Sequence, residues 1–139
     1  MPRILFAITF FLAAALTISA QTNATSKQVN GTWKYRKNEF KIWALGGQKL
    51  QIQFSGVWEY NNAFGPTANT GEGSGIAQIE GNTASFKPDD AEDDCKITLK
   101  FAGGKLVVTQ VAFCGFGFNV TAAGTYTRVS TAKPKFDSE

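Results

Sequence analysis

Between Gly31 and Ser130 large apolar and polar side chains alternate almost without interruption, which restricts this stretch to half-buried β-strands. Trp33 and Tyr35 alternate with Lys34 and Arg36; Phe40, Ile42 and Ala44 alternate with Lys41 and Trp43. Leu50, Ile52, Phe54, Trp58 and Tyr60 share one parity, with Gln51, Gln53, Ser55 and Glu59 on the other. Gly56 falls on the apolar parity, where a missing side chain lets a long strand bend. Ile97, Leu99 and Phe101 oppose Lys96, Thr98 and Lys100, and Leu106–Phe113, Phe118–Thr121 and Thr125–Ser130 complete the set. The expected fold is all-β, an antiparallel meander of eight or nine short strands. Closure removes the exposed edges of such a sheet, so a closed or nearly closed β-barrel is favoured over a two-sheet sandwich.

Turn residues fix two registers. A loop at Gly46–Gln48 sets Ala44 against Leu50, Ile42 against Ile52 and Phe40 against Phe54. A two-residue turn at Gly81-Asn82 sets Ile79 against Ala84 and Ala77 against Phe86. Both pair apolar with apolar, which a slip of one residue would destroy. The turn at Gly103-Gly104 puts Cys95 across from Ala112, so a bulge or twist must bring it to Cys114. Asn61–Ser74 is rich in Gly and Asn, contains Pro66, and has Phe64 as its only large apolar residue. It is expected to be a long irregular loop, and loops of that length are usually functional or mobile.

The ends differ from the middle. Arg3, the apolar run Ile4–Leu16 and the small residues ending at Ala20 have the layout of a secretory signal. The run is shorter than the ~20 residues a membrane-spanning helix needs, so cleavage near Ala20 is expected, with no stable membrane insertion. Cleavage removes Arg3 and no acid, leaving 119 residues and a charge of +2. That is enough for one domain, and too mildly basic to imply nucleic acid. The expected organisation is a signal peptide at 1–20, a disordered leader at 21–30, a β-barrel domain at 31–130 and a disordered tail at 131–139. The destination is the periplasm or the extracellular space, where Cys95 and Cys114 read as a disulfide closing a segment of about 20 residues, worth ~3 kcal/mol.

The chain contains no His, the usual general base of hydrolases and the commonest metal ligand. No catalytic residue, metal site or cofactor is expected. Gly71-Glu72-Gly73-Ser74-Gly75 is Gly-rich but lacks the strand and helix of a phosphate loop, and reads as a mobile loop. Five of the 11 acids lie in Asp89–Asp94, without calcium-loop spacing, and read as a solvated charged loop. Asn23, Asn30 and Asn119 begin glycosylation sequons. Phe113, Phe116 and Phe118 flank Cys114; packing around the disulfide is the favoured role, a binding lip the other.

Two resemblances follow. Gly31-Thr32-Trp33 resembles the Gly-x-Trp opening of lipocalin and avidin-like barrels, in which a basic residue of the final strand covers the Trp; Arg128 is its counterpart in position. The segment from about Gly75 to Val129 is similar to the C-terminal part of small exported bacterial proteins, some of them lysozyme-inhibitor-like. Ser55-Gly56-Val57-Trp58-Glu59-Tyr60 resembles the Ser-Gly-x-x-Tyr motif of those inhibitors.

The expected function is that of a secreted, non-enzymatic, monomeric binding domain whose partner is a protein or a small apolar ligand. The alternatives are an inhibitor of a lysozyme-type or other secreted hydrolase, and a lipocalin-like carrier with an apolar lumen. Binding is placed on the Asn61–Ser74 loop, with Asn61, Asn62 and Phe64, and on a rim formed by Trp43, whose outward parity gives it no core role. The competing expectation is that the leader or tail covers Trp43 and the loop is slack.

Overall fold

The computed structural model describes residues 23–137; the expected export signal lies outside them. Eight antiparallel strands form a closed barrel in simple meander order. They are β1 (Gly31–Tyr35), β2 (Asn38–Gly46), β3 (Lys49–Asn62), β4 (Gly65–Glu80), β5 (Thr83–Phe86), β6 (Lys96–Ala102), β7 (Lys105–Val111) and β8 (Gly124–Ser130). The barrel closes where β1 pairs with β8, with Trp33 beside Arg128.

The β2–β3 ladder pairs Ala44 with Leu50, Ile42 with Ile52 and Phe40 with Phe54, the register the glycine turn dictates. Ile79 pairs with Ala84 across the Gly81-Asn82 turn. In the β6–β7 ladder Lys96 pairs with Val111. Ala112, at φ 63°, then turns the chain so that Cys114 meets Cys95, with Cα atoms 5.0 Å apart.

Apolar side chains fill the interior. Phe40 lies 4.8 Å from Phe54 and 5.1 Å from Tyr126 between ring centroids, and Phe54 lies 4.6 Å from Phe116. All four are buried. Tyr126 is the polar exception: its hydroxyl donates to the Ala122 carbonyl at 2.8 Å. Burial pushes this phenol well above its ordinary value, partly opposed by the neighbouring Asn38 side chain.

The two ends are closed differently. At the end where β1 begins, the described part of the expected disordered leader forms one helical turn, α1 (Ser26–Val29). Val29 is buried, and its carbonyl accepts the Trp33 indole N–H at 3.0 Å. Two isolated apolar residues, Ala24 and Val29, give no periodic signal in a polar stretch, which is why this plug reads as coil. Arg128 spans the same end. Its guanidinium carbon is 5.0 Å from the Trp33 ring centroid, and it donates to the carbonyls of Lys27 and Asn30 at 2.8 and 3.1 Å. The Asn30 side chain accepts from the Ala44 N–H at 2.7 Å, so this sequon asparagine has a structural role.

At the opposite end the expected strand Phe118–Thr121 is irregular; Asn119 sits at φ 60° and turns the chain. The segment 112–123 folds across the opening, burying Phe116, Val120 and Ala122. The tail is irregular over its described part, but it is not detached. Lys133 Nζ lies 5.7 Å from the Trp43 ring centroid, and Asp137 pairs with Lys41 at 3.1 Å and donates its N–H to Gln53 Oε1 at 3.2 Å.

Candidate functional site

The largest departure from the sequence reading is at Asn61–Ser74. This segment is the far end of β3, a tight turn and most of β4, paired continuously from Asn62–Gly65 down to Lys49–Gln78. The Gly71–Gly75 run is likewise strand, not a mobile loop. Strand β1 has 5 residues and β2 has 9, whereas β3 has 14 and β4 has 16. The β3–β4 hairpin therefore overshoots its neighbours: β2 pairs with β3 only as far as Ser55, and β5 pairs with β4 only from Gln78 to Glu80.

The glycines explain why so β-poor a sequence is a strand. Gly71, Gly73 and Gly75 lie on the inward parity of β4. A Cβ at Gly71 would stand 1.8 Å from the Phe116 carbonyl oxygen, and one at Gly73 would stand 2.7 Å from the Phe116 ring. Gly71 and Gly73 form a slot that admits segment 112–123, where Phe116 supplies the bulk the glycines omit, while Gly75 makes room for Phe86, Lys87 and Asp89. Glycine is here a packing requirement that overrides its poor strand propensity. Gly56 has the same role opposite Val120, 2.7 Å from where its Cβ would be.

Beyond the slot, the inward face of the hairpin has no barrel wall opposite it. Trp58 and Tyr60, placed in the core by parity, are 43% and 40% exposed. Asn69 pairs with Trp58 and Thr67 with Tyr60. The Asn69 amide donates to the Phe118 carbonyl at 2.9 Å, which fixes segment 112–123 as a wall beside this face. Phe118 is 77% exposed and Phe64, at the hairpin tip, 98%. Of the three phenylalanines near the disulfide, Phe116 is core, while Phe113 and Phe118 are exposed.

Among the sequence-chosen residues, Asn61, Asn62 and Phe64 are together at the tip, where Asn62 Oδ1 accepts the Phe64 N–H at 2.8 Å. Trp43 does not join them. It pairs with Gln51, near the opposite end of β3, and is half-buried beside the tail. Gln51 and Phe64 are 13 positions apart along the hairpin, roughly 40 Å at ordinary strand rise. The rim is formed instead by Trp58, Tyr60 and Phe118. Parity marked the face of Trp58 and Tyr60 but not the end of the barrel. The signal for that was strand length, since β3 has partners on both sides only as far as Ser55.

The acidic stretch 89–94 is irregular and largely exposed, with Asp93 paired to Lys87 at 3.3 Å. No cluster of metal-ligating side chains occurs among the described residues. Comparison of the chain with known family models, curated proteins and solved structures finds no match.

Proposed function

We propose that this chain is an exported, non-enzymatic binding domain that engages its partner through the rim at the disulfide end of the barrel, and not through its lumen. One observation carries the reading. The interior is occupied by contacting rings, while the overshooting β3–β4 hairpin holds Trp58, Tyr60 and Phe64 exposed on a scaffold closed at both ends. Large aromatics held at solvent-exposed positions are the residues that most often dominate binding energy. The filled interior argues against the carrier reading, because a carrier needs a cavity of ligand size.

An aqueous setting is supported by the sense of the alternation. Outward positions on the strands include Lys41, Gln53, Lys96 and Lys100, with apolar residues inside. A membrane barrel has the reverse arrangement. The disulfide suits an oxidising compartment. Inhibition of a secreted hydrolase is the second reading, favoured by the hairpin, a narrow projection suited to entering a cleft. The Ser55–Tyr60 motif lies within β3 and only its last residues reach this projection.

The test is capture of partners from the native extracellular fluid by the immobilised domain, compared with the Trp58→Ala, Phe64→Ala double variant. A partner retained by the wild type and lost by the variant is expected. Undiminished retention by a folded variant would place the functional surface elsewhere.

A further inference from the structure

The hairpin overhang and the segment beside it lack charge, although Arg36 and Lys37 of the β1–β2 turn and the acidic stretch 89–94 lie at the same end of the barrel. Residues 60–71 and 112–123 contain no Asp, Glu, Lys or Arg, in a chain that is 18% charged. The fold brings these two segments together, through the Asn69–Phe118 hydrogen bond and the close approach of Gly71 to the Phe116 carbonyl. The one charged residue between Trp58 and Gly71 is Glu59, which lies on the opposite face of the hairpin and pairs with Lys37.

What remains is a specific mixture. On one face of a two-stranded ribbon stand Trp58 and Tyr60, about 7 Å apart at ordinary strand rise. Directly across from them are an amide, Asn69, and a hydroxyl, Thr67, with cross-strand neighbours about 5 Å apart. Half-exposed flat rings offer stacking surface at small conformational cost, and Tyr, Asn and Thr supply neutral donors and acceptors beside them.

That chemistry discriminates between ligand classes. Nucleic acid requires cations to neutralise phosphate, and an anionic lipid surface requires Lys or Arg. Protein interfaces are typically enriched in Arg alongside aromatics, and these two segments contain none. A neutral ligand with apolar faces and many hydroxyls along its edges matches both components: its C–H faces stack on rings, and its hydroxyls meet amides and hydroxyls. Resting on the rim reading above, we infer that the inner face of the β3–β4 overhang is a binding site for an uncharged glycan chain, with Trp58 and Tyr60 as the stacking platform and Asn69 and Thr67 as the polar partners.

The experiment titrates the disulfide-bonded domain with cello-, N-acetylchito-, manno- and xylohexaose, reading tryptophan fluorescence and backbone amide shifts. Polygalacturonate serves as a charged control, and phosphatidylcholine vesicles as a lipid control. Concentrations reach about 10 mM, enough to reveal millimolar affinity. Expected is a saturable response to at least one neutral hexaose, with shifts at Trp58–Tyr60 and Thr67–Asn69. Trp58→Ala or Tyr60→Ala should weaken it at least about tenfold, and Trp43→Ala should leave it unchanged. Thermal melts establish that the variants are folded, and amide shifts report binding where Trp58 is absent. No response to any neutral hexaose overturns the inference, as does a response that survives both rim substitutions or binding to vesicles alone. A partner captured from the native fluid through Trp58 without any glycan response would overturn the ligand class while leaving the rim as the binding surface. Loss of both would overturn the rim reading itself.

Discussion

Gly71 of β4 lies so close to Phe116 that a Cβ on the glycine would stand 1.8 Å from the Phe116 carbonyl oxygen. This contact couples the hairpin to the segment that closes the barrel. The neighbour is backbone and cannot rotate away, so Gly71→Ala must displace the segment carrying Phe116. A loss of about 1–3 kcal/mol is expected, the range for forcing extra volume into a packed site. Glu72→Ala, on the outer face one residue along, should stay within about 0.5 kcal/mol. Chemical denaturation of both variants is the check, and equal stabilities would mean that the slot is not under packing constraint.

The Gly71–Phe116 contact also shows where sequence reasoning stops. The β2–β3 register is legible from Gly46–Gln48 and period two, because turn and alternation are local properties. The strand identity of Gly71–Gly75 is not, because the reason for Gly71 and Gly73 is a segment more than 40 positions away in sequence, and Gly75 makes room for residues beyond β5. Trp58 and Tyr60 mislead for a related reason. Alternation tells which way a side chain points, but burial needs an opposing wall, and β1 and β2 end short of these residues. The pairing of the cysteines was accessible because only two exist, and the offset from Ala112 was visible as a demand for a bulge.

At the other end, Arg128 couples β8 to Trp33 and to α1 through the carbonyls of Lys27 and Asn30. Trp33→Ala should destabilise the domain by about 3–5 kcal/mol, the cost of removing a buried aromatic. Arg128→Ala should cost about 1–2 kcal/mol through lost ring contact, stem packing and hydrogen bonds. The double variant should lose less than the sum by about 0.5 kcal/mol or more, because the ring contact is shared. A strictly additive cycle would mean that the two side chains act independently.

The disulfide anchors the start of β6 to the segment carrying Phe116. Cys95→Ser, in a protein whose paired cysteines are 19 positions apart, should cost about 2–4 kcal/mol. Hydrogen exchange should accelerate first in 112–123, while the β2–β3 ladder keeps its protection. Uniform acceleration would indicate global weakening instead of release of that segment.

Tyr126 gives the barrel an alkaline limit. Its phenol is held neutral chiefly by burial, so its folded pKa lies above the unfolded value of about 10. Above that pH the unfolded chain sheds a proton that the folded chain keeps. The unfolded state then binds fewer protons, and unfolding free energy falls as pH rises, by up to about 1.4 kcal/mol per pH unit from this group. The contribution is fully present below pH ~10 and is progressively lost above it. Tyr126→Phe should cost about 1 kcal/mol near neutrality through the lost bond to Ala122 and should flatten the alkaline decline. Denaturation series at pH 8 to 11 on both proteins decide it; parallel declines would assign the alkaline sensitivity to other groups.

The overshoot of β3 and β4 should be dispensable for folding. Trp58 and Asn69 are directly paired, so replacing Glu59–Ala68 with Asn-Gly closes the hairpin through a two-residue turn. The replacement keeps the Asn69–Phe118 hydrogen bond and the glycine slot, and removes Tyr60, Phe64 and the surface pair Lys37–Glu59. Exposed ion pairs contribute about 0–1 kcal/mol, and a tighter turn partly offsets the loss by shortening the connection. Stability within about 1 kcal/mol of the parent is expected, together with loss of partner retention, because the aromatic platform is halved and its tip is gone. A large loss of stability would show that the overhang is a structural element of the barrel and not a surface held out from it.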